Sequence, residues 1–149
     1  MSRRARLFRL ASPFLIAVFA LLAPIACGTR KSPTEPADDP PSPSATLTRV
    51  QAEVFTPSCA RSGCHAGPSP ANGMDLSAGR AYVQIVGVAA VGSTRLRVAP
   101  GDVSASYLAS KIRGDATITG SRMPLGGPYL SSDRERLVTD WIRRGAPND

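Results

Sequence analysis

The chain has 149 residues, enough for one domain once a targeting segment is set aside, and its formal net charge is +7. Four of the 18 Lys and Arg residues lie within the first ten positions, and the other 14 exceed the 11 Asp and Glu residues by only three. A remainder this mildly basic, with no long run of Lys or Arg, lacks the charge signature of a nucleic-acid-binding protein. No nucleic-acid partner is therefore expected.

The N-terminal segment has the pattern of an export signal. The stretch MSRRARLFRL carries four arginines and no acid, and residues 10–26 contain no charge at all. A basic head, an apolar run and small residues at the exit are typical of a signal peptide, which we expect over residues 1–26. A transmembrane anchor is the alternative, but the run is short for a membrane span and contains Pro13 and Pro24.

A cysteine and a proline-rich stretch follow the apolar run. The position of Cys27 resembles the lipobox of bacterial lipoproteins; Ala26 and Gly28 fit that pattern, whereas Pro24 replaces the aliphatic residue that the family prefers. The resemblance implies acylation of Cys27 and anchoring of an exported protein at a membrane, on the periplasmic side or the cell surface. Ordinary signal cleavage, which leaves a spare thiol, is the alternative. Residues 27–46 are rich in proline and small polar residues, and we expect a flexible tether there.

The first two helices are predicted from apolar spacing and capping residues. The stretch TLTRVQAEVF predicts a helix capped by Thr46 or Thr48 and ended by Pro57. The stretch SAGRAYVQIVGV predicts a second helix with Ser77 as its cap, although its β-branched residues leave a strand over 83–88 as the alternative.

Two further helices are predicted towards the C-terminus. One is capped by Asp102 or Ser104 and stopped by Gly114. The last has a capping box formed by Ser132 and Glu135. Its predicted apolar stripe consists of Leu137, Val138, Trp141 and Ile142.

These elements predict an all-α fold for residues 47–149, with three to four short helices separated by long loops. Beyond the signal, the aromatic residues are Phe55, Tyr82, Tyr107, Tyr129 and Trp141. Five aromatic side chains are a thin supply for a small core, and long ordered loops are uncommon unless something central organises them. We therefore expect a further large apolar group at the centre.

The stretch FTPSCARSGCHAG concentrates the chemistry of the chain. It contains Cys59, Cys64 and the only histidine, His65, in a C-x4-C-H arrangement. Two thiols followed by an imidazole suit covalent attachment of haem, in which the thiols add to the vinyl groups and the histidine binds the iron. The usual spacing is C-x-x-C-H, so two extra residues must bulge out, and Gly63 with Ser62 could supply the turn.

Two alternatives remain open for the same residues. In an exported protein Cys59 and Cys64 could form a disulfide, which would leave His65 without a special role. A zinc site could use all three residues, but it lacks a fourth ligand apart from Asp75, which is a weak substitute.

A second axial ligand to haem iron would have to be a methionine, because there is no second histidine. Met74 lies only nine residues after His65, too near to reach the opposite face easily. Met123 lies in the Gly/Pro-rich stretch GSRMPLGGP before the last helix and is the preferred candidate. The neighbouring Arg122 is interpreted as an exposed loop residue, with pairing to a haem propionate as the alternative.

The segments SCARSGCH, GMDL, SRMPLGGPYL and DWIRRGAP occur in the order found in small exported domains of the class I cytochrome c type, and residues 47–149 resemble that family over their whole length. The resemblance implies one covalent haem c, with Cys59 and Cys64 as thioether cysteines, His65 as proximal ligand and Met123 as distal ligand. In the family, a proline carbonyl of a Gly-Pro-x-Leu loop receives the histidine N–H. Met74 occupies that place here, and its backbone carbonyl is expected to do the same.

The resemblance also implies a function. With both axial positions of the iron filled, the protein would be an electron carrier that exchanges electrons with redox protein partners, and neither enzymatic activity nor a small-molecule substrate is expected. The alternative is a haem-free surface lipoprotein with a Cys59–Cys64 disulfide that serves as a binding or structural module.

Overall fold

The computed structural model describes residues 39–149, which fold into short helices joined by long loops. Helix α1 spans Leu47–Val50 and continues as a π-helix over Gln51–Cys59. A 3₁₀ turn, Ala71–Gly73, precedes α2, Ala81–Ile85. Helices α3, Tyr107–Arg113, and α4, Ser132–Arg143, complete the fold. Residues 39–149 contain isolated β-bridges but no strand, as expected of an all-α fold.

The N-terminal predictions fall largely outside this range. The expected signal peptide over 1–26, the acylation of Cys27 and the tether up to residue 38 all lie outside the described residues. None of the helices in the described part of the chain is long and apolar enough to cross a membrane.

The first helix follows its prediction at the start and departs from it at the end. The side chain of Thr46, one of the two expected caps, accepts a hydrogen bond from the Arg49 N–H at 3.2 Å. Pro57 was expected to end the helix, but the chain continues past it to Cys59 as a π-helix. A proline ring clashes with the preceding turn of an α-helix, and the wider turn of a π-helix accommodates it.

The capping residues of α2 and α3 differ from those expected. Ser77 does not cap α2; its N–H instead donates to Asp75 Oδ1 at 2.9 Å. Asp102 accepts from the N–H groups of Ser104 and Ala105, so it caps the turn before α3 rather than α3 itself. Gly114, with φ of 78°, ends α3 in the left-handed conformation, as predicted.

Helix α4 begins with Ser131 as its N-cap, one residue before the predicted Ser132. The expected capping box does not form, because with Ser131 as N-cap the third helical position is Arg134 and not Glu135. The Glu135 carboxylate instead binds the Arg122 guanidinium at 2.8 Å. Arg122 is therefore a partly buried, ion-paired residue and not an exposed one. The predicted apolar stripe is correct, and all four of its residues are buried: Leu137, Val138, Trp141 and Ile142.

Residues 39–46, which the sequence places in the tether, make specific contacts with α4 and the residue after it. The Ser42 N–H donates to Asp140 Oδ2 at 3.2 Å, and the Arg144 guanidinium donates to the Ala45 carbonyl. Ala45 is fully buried. The contacts of the domain therefore begin before Leu47.

Candidate functional site

A mostly apolar cleft lies between the loop that follows the first helix, helix α3 and the loop that precedes α4. It has a cavity volume of about 240 Å³. Apolar walls with a few polar groups are typical of small-molecule and cofactor sites. Its lining includes Cys59, His65, Met74 and Met123. The cleft thus brings together Cys59, His65 and Met123, which are three of the four residues expected to hold the haem. Met74, the less favoured methionine, lines the same cleft.

The backbone around His65 is fixed from both sides. The His65 N–H donates to the carbonyl of Cys59 at 3.1 Å, and the His65 carbonyl accepts from the Leu76 N–H at 2.8 Å. Between the two cysteines the chain reverses at Gly63, whose φ of 77° lies in the left-handed region that glycine adopts without strain. The predicted turn therefore forms, and it accommodates the two extra residues of the C-x4-C-H spacing.

The imidazole of His65 is oriented by the carbonyl of Met74. His65 Nδ1 lies 3.3 Å from that oxygen, the contact expected from the position of Met74 in the GMDL segment. A carbonyl oxygen only accepts, so Nδ1 carries the proton and Nε2 keeps its lone pair. Burial lowers the pKa of His65, the backbone hydrogen bonds of Met74 and Ala71 oppose that shift, and the charges of Arg97 and Lys111 add to it. The neutral imidazole is the form that binds metals.

The two cysteines lie in different environments. Cys59 is half-buried and lines the cleft, and burial, with a smaller electrostatic contribution from Cys64, raises the pKa of its thiol to about 11. Cys64 is exposed and is not part of the cleft lining. Both thiols are free, so the alternative Cys59–Cys64 disulfide is not formed in this structure.

The zinc alternative also gains no support from side-chain positions. Within residues 39–149, no group of three or more His, Cys, Asp or Glu side chains is arranged to hold a metal ion. Asp75, the weak candidate for a fourth ligand, accepts from the Ser77 N–H and pairs with Arg80 at 3.2 Å.

Met123 is half-buried in the cleft wall, and its N–H donates to the Lys111 carbonyl at 2.8 Å. Met74 also lines the cleft and packs against the core. Met74 therefore lies in the cleft although it is only nine residues from His65 in the sequence. The two methionines differ in their backbone hydrogen bonds. The Met74 carbonyl bonds to His65 Nδ1, whereas the Met123 N–H donates to a carbonyl of α3.

Two cations in the cleft lining were not singled out from the sequence. The Arg97 guanidinium donates to the carbonyls of Gln84 at 2.8 Å and Asn72 at 3.0 Å. The other cation is Lys111, on α3, and no Asp or Glu is among the lining residues. Arg97 lies in irregular chain, and no sequence signal would have found it. The position of Lys111 four residues after Tyr107 places both on one face of α3, which is a weak signal.

No family model matches the chain, and comparisons with curated proteins and with solved structures also gave no match. The case for a function therefore rests on the residues of this chain and their geometry.

Proposed function

We propose that the chain is an exported electron carrier with one covalently attached c-type haem. The observation that carries the proposal is the state of His65. This side chain, only 9% exposed, lies in the wall of an apolar cleft, and its Nδ1 lies 3.3 Å from the Met74 carbonyl. A proton on Nδ1 would satisfy that contact and leave the Nε2 lone pair for a metal.

The residues of the cleft fit such a group. Cys59 and Cys64 have free thiols, one in the cleft wall and the other exposed beside His65, and both are available for thioether bonds. His65 and Met123 line the same cleft, and they would be the axial ligands. A large apolar group there would also fill the centre of a domain that has few aromatic side chains of its own.

When bound, the haem would supply a reversible one-electron change of its iron. With His65 and Met123 as the residues that hold the iron, the soft thioether of Met123 would favour ferrous iron and so a high reduction potential. Because both axial positions would be filled by side chains, no site would remain for a substrate. We therefore propose redox proteins as partners, and neither an enzymatic activity nor a small-molecule substrate.

The location belongs to the same proposal. The signal peptide over 1–26, a lipid on Cys27 and the proline-rich tether would hold the domain at a membrane surface, in the periplasm or on the cell surface. A tethered carrier meets its partners at a raised local concentration set by the length of the tether.

The test is a visible absorption spectrum of the full chain, exported from a bacterium that makes c-type cytochromes. We expect a sharp reduced α band, and we expect the chromophore to remain with the polypeptide under denaturing conditions. Cys59→Ser and Cys64→Ser should each remove one of the two thioether bonds. Cys27→Ser is the matched cysteine control, and it should keep the haem spectrum while releasing the protein from membranes. A featureless visible range in the wild-type protein would refute the proposal.

A further inference from the structure

We propose that Lys111 is the positioning residue that holds Met123 in place as an iron ligand. This inference rests on the proposed function. It concerns residues 115–130, here named the methionine loop, which connect the C-terminal Gly114 of α3 to the N-cap Ser131 of α4. The loop contains no helix or strand, so no regular backbone hydrogen-bond pattern of its own fixes the position of Met123.

Lys111 contacts the methionine loop at three alternate residues. Its carbonyl accepts from the Met123 N–H at 2.8 Å, and its ammonium Nζ donates to the carbonyls of Ser121 at 2.6 Å and Thr119 at 3.1 Å. The Lys111 carbonyl is available because it lies in the last turn of α3, where carbonyls lack partners within the helix. The Asp115 N–H bonds to the Ser110 carbonyl instead.

Other residues fasten the methionine loop at neighbouring points. The Tyr107 hydroxyl accepts from the Thr119 N–H at 2.8 Å, and Arg122 connects the loop to the carbonyl of Ile112 and to Glu135. The side chain of Lys111 differs from these because it contacts two loop carbonyls and also lines the cleft.

An ammonium group has three donors and no acceptor, and its hydrogen bonds to carbonyl oxygens are stronger than those between neutral groups. Two such bonds restrict the chain just before Met123. Because the loop is already ordered, less conformational entropy would be lost when the iron–sulfur bond forms. A larger fraction of molecules would therefore have Met123 bound to the iron.

The test compares two cations of α3, each replaced by leucine, which cannot bind iron: Lys111 lines the cleft, whereas Arg113 is exposed and is not among the lining residues. Lys111→Leu removes the two side-chain hydrogen bonds to the methionine loop and keeps the bond between the Lys111 carbonyl and the Met123 N–H. Arg113→Leu removes an exposed positive charge from the same helix. We expect carbon monoxide affinity of the reduced holoprotein to rise roughly tenfold in Lys111→Leu, the factor that corresponds to about 1.4 kcal/mol. The far-red sulfur-to-iron band of the oxidised protein should weaken in parallel. Lys111→Arg, which keeps the charge and the donors, should restore most of both signals.

Arg113→Leu should leave the band and the carbon monoxide affinity unchanged. Equal changes in the two leucine variants, or no change in Lys111→Leu, would overturn the proposal.

A second measurement on the wild-type holoprotein covers the case in which Lys111→Leu does not fold. Hydrogen exchange of the Met123 amide should be as slow as that of the amides of α3, because its acceptor lies on that helix. Exchange as fast as that of exposed loop amides would contradict the positioning role. A wild-type sample without haem absorption contradicts the proposed function separately, since the Met123 amide still reports on the contacts of Lys111 in that sample.

Discussion

Replacing each cleft methionine by alanine separates an iron ligand from a packing residue. Met123 and Met74 are both partly buried and line the same cleft. Truncation of a fully buried methionine costs about 2–5 kcal/mol, so each half-buried side chain should cost about 1–2 kcal/mol of unfolding free energy as packing alone. Loss of stability therefore does not distinguish the two residues, whereas the absorption spectrum, ligand binding and reduction potential of the iron do.

In the Met123→Ala holoprotein, we expect three changes that Met74→Ala does not show. The far-red band of the oxidised protein should disappear, and the reduced protein should bind carbon monoxide. The reduction potential should fall by more than about 59 mV, the shift that corresponds to a tenfold loss of preference for ferrous iron in a one-electron couple. Absorption spectroscopy and redox titration measure all three. If Met74→Ala alone removes the band, Met74 is the ligand; if neither variant does, methionine ligation is wrong.

Three further variants test the fold and the site. His65→Ala should abolish the ordered haem environment and lower the thermal midpoint followed by circular dichroism; a variant that melts like the parent would show that haem is not part of the core. Trp141→Phe should cost about 1–3 kcal/mol in denaturant unfolding because the Trp141 indole, fully buried, donates to the Pro147 carbonyl at 2.8 Å; a loss below about 0.5 kcal/mol would contradict that role. Hydrogen bonds from the Ser104 side chain and from backbone N–H groups lower the pKa of Asp102, so its contribution to stability is present above the ordinary value and is lost as pH falls through the lowered one. The thermal midpoint should therefore fall less between about pH 5 and pH 3 in Asp102→Asn than in the wild type, and equal slopes would count against this.

The sequence predicted the helices well where their determinants are local. Apolar spacing was enough to predict the buried face of α4, and Gly114 was enough to predict where α3 ends. The start of α4 was wrong by one residue because Ser131 and Ser132 are equally good caps. Glu135, the acid of the predicted capping box, pairs instead with Arg122 of the preceding loop, a contact that local sequence does not predict.

The candidate site was predictable to the extent that it is contiguous in sequence. The spacing of Cys59, Cys64 and His65 and the carbonyl of Met74 all lie within sixteen positions, and the expected hydrogen bond is present. Lys111 enters the site through contacts between a helix and a loop, which composition and periodicity do not report. The hydrogen bonds from residues 39–46 to α4 and to Arg144 join residues about 100 positions apart in the sequence. They were not predicted for the same reason.

Intact mass of the exported wild-type chain under denaturing conditions tests covalent haem attachment most directly. We expect a mass equal to that of the mature polypeptide, with any lipid on Cys27, plus one haem. Cys59→Ser together with Cys64→Ser should remove that increment. A wild-type mass equal to the polypeptide alone, or lower by the two hydrogens of a disulfide, would contradict the account.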